Sequence, residues 1–301
     1  ETLATSLGKK AVEFASIVKT GRTHLADATP ITLGQEFSGY EAQVRQGIAR
    51  INRSLVTILE LPIGGTAVGT GVNTHPQFAA KVVTELSART GLAFKEAPNH
   101  FEAQAAKDAV VEMSGQLKTI ACSLAKIGND IRWLGSGPRC GLSEIFLPEV
   151  QPGSSIMPAK VNPVIAESLL MVCAQVIGND SAVMICGHSG GNFELNVMMP
   201  VMVYNILQSI SLLAASAKNF AAKCVDGIEP NLPRIHELAE ANISVVTSLA
   251  PKIGYDKAAQ LAKEAYKTGA TVREVAIKHN VLPTEELDRV LDLMSMTKPG
   301  L

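Results

Sequence analysis

The sequence predicts an all-α protein whose main part is a bundle of long helices. Aromatic residues make up only 4% of its 301 residues, and the alternating β-branched patterns typical of strands are scarce. Residues that favour helix, chiefly Ala, Leu, Gln, Glu and Lys, fill long segments without proline. Within these segments apolar residues recur every three or four positions, which places them on one face of a helix.

The first long helix is predicted to begin after Thr32, because Thr32 and Gln35 have the spacing of a capping box. Its apolar positions are Phe37, Tyr40, Val44, Ile48, Ile51, Leu55 and Ile58. The clearest apolar stripe follows it, at Val110, Met113, Leu117, Ile120, Leu124, Ile127, Ile131 and Leu134. Two more helices are predicted over about 163–185 and 197–223. Helices of roughly 25 residues suit an elongated bundle shared between subunits, so we expect an obligate oligomer.

Shorter helices are predicted after the run Asp-Gly-Ile-Glu-Pro-Asn-Leu-Pro at 226–233. Thr271 and Glu274 form a second capping box, Asn280 is a candidate left-handed helix terminus, and a helix restarts at Pro283-Thr284. We therefore predict two domains, a helical bundle with the catalytic loops over 1–226 and a small helical domain over 227–301.

Composition excludes several classes of function. The 27 basic and 28 acidic residues give a net charge of −1, so no basic surface for nucleic acid is predicted. Polar residues are expected to interrupt the apolar stretches before a membrane span of roughly 18 residues is reached, which predicts a soluble protein. Five dispersed cysteines without a CxxC pair favour a reducing compartment such as the cytoplasm and argue against zinc. No metal and no cofactor are predicted.

The stretch 151–163, Gln-Pro-Gly-Ser-Ser-Ile-Met-Pro-Ala-Lys-Val-Asn-Pro, is the most informative non-helical segment. Asn162 followed by Pro163 is typical of a helix start, with Asn as N-cap and Pro at the first helical position. That arrangement would place Lys160 and free backbone N–H groups beside a positive helix terminus, where a carboxylate could bind. Ordinary loop chemistry is the alternative.

Two further candidates lie in other loops. His24, with Thr23 beside it and Asp27 three residues on, could be a proton-transfer group oriented by a carboxylate, although a surface histidine is a common alternative. Residues 187–191, Gly-His-Ser-Gly-Gly, match the G-x-S-x-G nucleophile motif around Ser189. That motif requires a preceding strand and a parallel sheet, whereas a helix is predicted here, so we interpret the match as accidental.

With these residues in view, the sequence resembles the class II fumarases of the fumarase/aspartase superfamily over essentially all of its length. Residues 153–162, Gly-Ser-Ser-Ile-Met-Pro-Ala-Lys-Val-Asn, resemble the signature loop of the superfamily, and residues 21–30, Gly-Arg-Thr-His-Leu-Ala-Asp-Ala-Thr-Pro, resemble its histidine-bearing region. Four other segments are similar to fumarases: 63–71, 134–141, 192–197 and 254–259. The resemblance implies a long-helix bundle, a homotetramer with active sites built from three subunits, and reversible anti addition of water to fumarate to give L-malate.

The resemblance also implies roles for individual residues. Ser154 would be the base that removes the C3 proton, and His24 paired with Glu167 would assist proton transfer on the water side. Thr23, Ser155, Lys160, Val161 and Asn162 would bind the substrate dicarboxylate. The protein would be cytoplasmic, or located in the mitochondrial matrix if eukaryotic.

Relatives that act on aspartate typically carry Gln where this chain has His24, which favours fumarate as substrate. Argininosuccinate and adenylosuccinate lyases share the signature loop but match the other segments poorly. The N-terminal substrate loops of the family are expected to be absent, since Glu1 begins where the central helices are already under way. We therefore expect the chain alone to assemble, to be prone to aggregation and to have little activity. An inert helical scaffold is the alternative.

Overall fold

The computed structural model describes residues 1–151, 153, 155–158 and 160–300. It is 64% helical, which confirms the predicted all-α fold. The described helices are α1 Thr2–Glu13, α2 Leu33–Ile58, α3 Phe78–Thr90, α4 His100–Ala105, α5 Asp108–Leu134, α6 Val164–Ser189, α7 Met199–Lys223, α8 Leu232–Ala241, α9 Ala250–Ile253, α10 Tyr255–Thr268, α11 Val272–Lys278 and α12 Thr284–Val290. Short 3₁₀ helices cover Val225–Gly227, Ile243–Ser248 and Ser295–Thr297.

Strands occur only as two-stranded pairs in the described part of the chain. Their bounds are β1 Val18–Thr23, β2 Ala26–Thr32, β3 Glu60–Leu61, β4 Lys95–Glu96, β5 Ile145–Phe146, β6 Gly191–Asn192, β7 Leu195–Asn196 and β8 Glu229–Pro230. β3 and β4 pair in parallel, whereas β1 with β2, β5 with β8 and β6 with β7 are antiparallel. Only β1 and β2 are longer than two residues, so no sheet forms a core.

The predicted helix boundaries at the two capping boxes are confirmed. The Thr32 N–H donates to Gln35 Oε1 (2.9 Å) and the Gln35 N–H donates to Thr32 Oγ1 (3.0 Å), one residue before α2 begins. Thr271 and Glu274 make the same reciprocal pair at the start of α11. Asn280 has a φ of 46°, as expected for a left-handed terminus, and α12 begins at Thr284.

The chain divides into two compact units that interleave along the sequence. Unit 1 consists of residues 1–3, 42–130 and 164–220; unit 2 consists of residues 4–41, 131–163 and 221–301. The predicted domain boundary near residue 227 stays a prediction.

Unit 1 contains most of α2, α5, α6 and α7. The predicted apolar stripe of α5 is its packed face, with Met113, Leu117, Leu124 and Ile127 all buried. A buried carboxylate, that of Asp180 on α6, accepts hydrogen bonds from Ser114 Oγ (2.8 Å) and Lys118 Nζ (2.5 Å) on α5. This polar contact joins α5 to α6 inside unit 1.

A large apolar groove remains open on unit 1. Its volume is about 830 Å³. Its apolar lining comes from Val44, Ile48, Ile51, Leu55 and Ile58 of α2, from Val110, Met113, Leu117, Ile120 and Leu124 of α5, and from Met199, Met202, Val203, Ile206, Leu207, Ile210 and Leu213 of α7. The apolar stripe of the second half of α2 thus faces this groove rather than a closed core.

Two helical segments are long and apolar enough, by length and composition, to cross a membrane: Val164–Ser189 and Met199–Gly227. The expectation that polar residues interrupt every such stretch was therefore wrong. Helices in the cores of soluble proteins meet the same criteria of length and composition. The first segment carries the buried residues Asn179 and Asp180, and Asn179 Nδ2 donates to Ser209 Oγ (3.1 Å) on α7. These internal polar contacts fit a helix packed against protein.

Two groups of buried side chains stand out in the described part of unit 2. Phe14, Phe37 and Tyr40 meet edge to face, with ring centroids 5.3 and 5.5 Å apart. The second cluster belongs to the C-terminal segment and consists of Val245, Leu249, Leu261, Ala265, Val272, Val275, Ala276, Leu287 and Leu291.

Candidate active site

His24 lies at the tip of a β-hairpin formed by β1 and β2. The sequence analysis placed His24 in a loop, so the hairpin was missed. His24 and Leu25 form its two-residue turn, and both have positive φ (56° and 59°), as a type I′ turn requires. Glycine and asparagine usually occupy such positions, so the sequence held no recognisable turn signal. Thr23 and His24 are both exposed at this tip.

A bulge in β2, where Thr29 is the extra residue, shapes the same hairpin. The strand register shifts between Thr20 and Gly21. A Cβ atom at Gly21 would lie 2.4 Å from the carbonyl oxygen of Thr29, so only glycine fits there without moving the backbone. Asp27, the predicted partner of His24, lies opposite Arg22 in the register, with its Oδ1 4.0 Å from Arg22 Nε. Its carboxylate therefore pairs with Arg22.

The loop over 151–163 closes on itself. Asn162 Nδ2 donates to the carbonyl oxygen of Gly153 (2.6 Å), and the Lys160 N–H donates to the carbonyl oxygen of Met157 (3.3 Å). The backbone approach is so close that a Cβ atom on Gly153 would lie 1.8 Å from the carbonyl oxygen of Lys160. Both ends of the loop are thus tied together, and Ser155 and Lys160 are exposed. Ser154 lies outside the described residues.

The helix after this loop begins one residue later than predicted. α6 starts at Val164 rather than at Pro163, and the Asn162 side chain bonds to Gly153. Glu167 lies in the first turn of α6 and is half-buried. An acidic side chain in the first turn interacts favourably with the positive end of a helix. Glu167 belongs to unit 1, whereas the loop and the hairpin belong to unit 2.

The predicted site residues thus fall on three elements. Thr23 and His24 share the hairpin tip, a second group shares the loop, and Glu167 stands on α6. The described members of the loop group are Ser155, Lys160, Val161 and Asn162; all but the half-buried Asn162 are exposed.

Comparison with known proteins identifies the family. A family model described as "Lyase" matches residues 1–178, which is more than half of the chain, and a model described as "Fumarase C C-terminus" matches residues 245–298. The chain belongs to this lyase family.

Several relatives of the chain are highly similar to it. It is 56% identical over 286 residues to the mitochondrial fumarate hydratase of Saccharomyces cerevisiae, covering 95% of this chain and 58% of the relative. It is 53% identical over 299 residues to the class II fumarate hydratase of Neisseria meningitidis, covering 99% of this chain and 64% of the relative. The chain therefore spans about three-fifths of the length of these relatives.

A solved structure gives the same result for the fold of the chain. The class II fumarase of Schistosoma mansoni superposes with a TM-score of 0.95 at 41% sequence identity. The match covers 98% of this chain and 65% of that structure. The predicted membership of the fumarase/aspartase superfamily is thereby confirmed.

The nucleophile motif around Ser189 is not a nucleophile elbow in this chain. Ser189 is the last residue of α6, and a helix rather than a strand precedes it. The sharp strand-to-helix turn that exposes a nucleophilic serine is therefore missing at this position.

Among the residues that the structure describes, no group of three or more His, Cys, Asp or Glu side chains could hold a metal ion. Burial raises the pKa of Cys173 to about 11 and that of Cys224 to about 12, so both thiols are protonated at neutral pH. The expected absence of a metal stays a prediction.

Two side chains near the site were missed by sequence reasoning: Arg22 and Glu144. Glu144 is completely buried and pairs with Arg22 of the hairpin, although 122 residues separate them. No local pattern connects two positions so far apart in the chain.

Proposed function

We propose that this chain carries the catalytic residues of a class II fumarate hydratase, which adds water reversibly to fumarate in the anti sense to give L-malate. The main support is that an exposed Thr23-His24 tip and an exposed Lys160 loop occur in a chain whose relatives are named fumarate hydratase.

The proposed chemistry begins at the carbon next to a carboxylate. Removal of the C3 proton by Ser154 puts a second negative charge on that carboxylate. Fixed positive charge and N–H donors must stand there before the reaction. Lys160 supplies the charge, and the backbone N–H groups at the start of α6, beginning at Val164, supply donors and the positive end of a helix.

Ser154 needs help to act as a base, since a neutral hydroxyl is weakly basic. Donors around its oxygen in a site of low dielectric would stabilise the alkoxide. We infer that Ser155, Lys160, Val161 and Asn162 bind the substrate beside it. The hydrogen bond from Asn162 to Gly153 brings these two residues together.

At the opposite side of the substrate, water must lose or gain a proton. We propose that His24 and Glu167 perform this transfer as a pair in the assembled enzyme, and that Thr23 contacts the substrate beside them. General acid-base groups typically contribute about 10²–10⁴-fold to a rate.

We propose a homotetramer as the active form, with active sites shared between subunits. Two observations support it. The apolar groove of unit 1 exposes side chains such as Leu207 to solvent, and contiguous apolar surface of this kind is typical of protein interfaces. Most of the described site residues, namely Thr23, His24, Ser155, Lys160 and Val161, are also exposed rather than enclosed. The small dicarboxylate is the only ligand we propose.

For location we propose the cytoplasm, or the mitochondrial matrix in a eukaryote. The similar relatives include a mitochondrial enzyme and a bacterial one.

The central test is Ser154→Ala in an enzyme assembled at full family length. Conversion of malate to fumarate, followed by ultraviolet absorbance, should fall by about 10²–10⁴-fold while the oligomer stays intact. Ser189→Ala is the matched control and should leave turnover unchanged. Normal turnover of the Ser154 variant would refute its role. Loss of turnover in the Ser189 variant, together with labelling of Ser189 by a serine-directed phosphonate, would favour the hydrolase alternative.

A second experiment compares the chain alone with the chain joined to an N-terminal segment of the family. Since catalysis requires all groups to be positioned together, we expect little activity alone and restored activity after joining. Persistent inactivity in a correctly assembled tetramer would favour the scaffold alternative. Turnover of aspartate without turnover of malate would overturn the proposed substrate.

A further inference from the structure

A buried ionic cluster lies beneath the hairpin that carries His24. At its centre is the carboxylate of Glu144, which has no exposed surface. Arg22 binds it as a fork, with Nη1 2.9 Å from Oε2 and Nη2 3.2 Å from Oε1. Lys19 Nζ lies 3.3 Å from the same Oε2. Fork-shaped arginine pairing fixes both distance and orientation.

The cluster is balanced in charge. Lys19 is 1% exposed, and its ammonium also lies 3.3 Å from Glu36 Oε2 and donates to the carbonyl oxygen of Thr20 (3.1 Å). Two cations of β1 thus face two carboxylates. Removal of one member of such a buried set leaves an uncompensated charge, which is costly. Arg22 has a second acidic neighbour, the exposed Asp27, at 4.0 Å.

The carboxylate of Glu144 belongs to a fixed piece of backbone. The Glu144 N–H donates to the carbonyl oxygen of Leu134, and its own carbonyl oxygen accepts from the Asn231 N–H, both at 2.9 Å. Asn231 Nδ2 also donates to the carbonyl oxygen of Ser143 (2.8 Å). Glu144 directly precedes β5, which pairs with β8. Because the backbone of Glu144 is held from both sides, its carboxylate has a fixed position. The hairpin takes its own position from that carboxylate.

Arg22 is the cluster member nearest to the tip. It stands one residue before Thr23 and two before His24, on a hairpin whose register pairs Arg22 with Asp27. Because the turn has only two residues, a displacement of Arg22 carries the tip with it. We propose that Glu144 is a positioning residue: acting through Arg22, its buried carboxylate sets where Thr23 and His24 stand in the active site. This inference rests on the proposed function.

The hairpin has other attachments that do not involve Glu144. Thr20 Oγ1 donates to the carbonyl oxygen of Leu238 (3.0 Å). On the second strand, Asn242 Nδ2 donates to the carbonyl oxygen of Ala28 (2.7 Å), and Ser244 Oγ donates to that of Asp27 (3.1 Å). These contacts keep the hairpin in place when the charge of Glu144 is removed. The expected defect is therefore a displaced tip on a folded protein.

The test is Glu144→Gln, which keeps the side-chain shape and removes the charge, in the assembled enzyme of full family length. Misplacement of a reacting group by about 1 Å can cost about 100-fold in rate. We expect kcat to fall by about that factor, with KM changing much less. Glu144→Asp, which keeps the charge but shortens the reach, should recover part of kcat.

The matched control is Asp180→Asn. Its carboxylate is also buried and also binds a lysine, Lys118, together with Ser114. We expect a comparable loss in Tm and an almost unchanged kcat. If the Glu144 and Asp180 variants lose kcat only in proportion to Tm, Glu144 is merely structural and the inference is wrong. Should Glu144→Gln fail to fold, Arg22→Lys removes the fork while keeping the charge, and a normal kcat in that variant overturns the inference.

A second measurement separates this inference from the proposed function. In the 301-residue chain labelled with ¹³C-histidine, the Cε1–Hε1 resonance of His24 is assigned by its loss in His24→Asn. We expect Glu144→Gln to move this resonance and Asp180→Asn to leave it in place. If Glu144→Gln moves the resonance but the parent enzyme has no hydratase activity, the proposed function is wrong and the positioning role of Glu144 stands. An active parent with an unmoved resonance and a normal kcat in Glu144→Gln would refute the positioning role alone.

Discussion

The C-terminal segment and the helices of unit 1 use the same apolar periodicity with different results. In residues 243–297 the apolar faces meet each other, and side chains such as Leu249 and Leu261 are almost inaccessible. On unit 1 the groove between α2, α5 and α7 stays open, with Leu207 56% exposed. The first region completes its core within one chain, whereas the second presents a surface that another chain can cover.

Helix length accounts for part of this difference. The C-terminal helices have 4 to 14 residues, so neighbours in sequence fold back over each apolar face. The helices α2, α5, α6 and α7 have 25 to 27 residues. At about 1.5 Å per residue they extend roughly 40 Å, farther than short neighbouring segments can cover. Long helices therefore favour association between chains.

The largest effect on stability is expected when a buried side chain of the C-terminal cluster is truncated. Leu261→Ala removes a buried side chain of the C-terminal cluster and should lower the free energy of unfolding by about 2–5 kcal/mol. Urea denaturation followed by circular dichroism measures this change. The control is Tyr266→Ala on the same helix, where an 81% exposed side chain should matter by less than about 0.5 kcal/mol. Equal losses in the two variants would contradict the comparison.

A charge on the open surface should act on assembly. Leu207→Lys places an ammonium where a second chain is proposed to pack, and the association free energy should weaken by about 2 kcal/mol or more. Analytical ultracentrifugation of the full-length enzyme measures this, while helix content should stay constant. Tyr266→Lys, at an 81% exposed position of the C-terminal segment, should leave the oligomer unchanged. An intact tetramer in the Leu207 variant would show that the groove is not an interface.

A smaller effect is expected at the capping box of the C-terminal segment. Thr271→Ala removes the side-chain acceptor of the Glu274 N–H and should cost about 1 kcal/mol of stability. Thr84→Ala is the control, because Thr84 is exposed and donates within its own helix to the carbonyl oxygen of Ala80. If Thr271→Ala loses no more stability than the control, this cap does not stabilise the C-terminal segment.

The smallest effect concerns pH. The backbone N–H and the hydroxyl of Thr271 donate to Glu274 and hold the pKa of its carboxyl below the usual range. Its contribution to stability is therefore complete above the unfolded-state pKa, near 4.3, and disappears as the pH falls through the lower folded-state value. Unfolding midpoints measured from pH 6 to pH 3 should fall slightly less in Glu274→Gln than in the parent. If the unfolding midpoints of the two proteins fall in parallel over this pH range, protonation of Glu274 does not contribute to the loss of stability.

The sequence by itself determined the helical class, both capping boxes, the helix restart at Thr284 and the family. These features depend on spacings of a few residues, or on motifs that are continuous in the chain, so local propensity and pattern suffice. It also indicated that Ser189 is no nucleophile, because a helical pattern precedes it. The roles given to Ser154, His24 and Glu167 stay predictions drawn from resemblance.

Only the tertiary structure decided how the hairpin is held. The turn at His24-Leu25 has positive φ values that neither side chain favours, so it forms only because contacts elsewhere hold the strands together. The pairing of Arg22 with Glu144 joins residues 122 positions apart, and no sequence period specifies such a contact. The sequence also could not decide that the apolar groove of unit 1 stays open. An apolar stripe shows that a helix face will be covered, but it does not show whether the same chain or another chain covers it. Burial and long-range charge pairing are properties of the packed chain, and local sequence preference does not contain them.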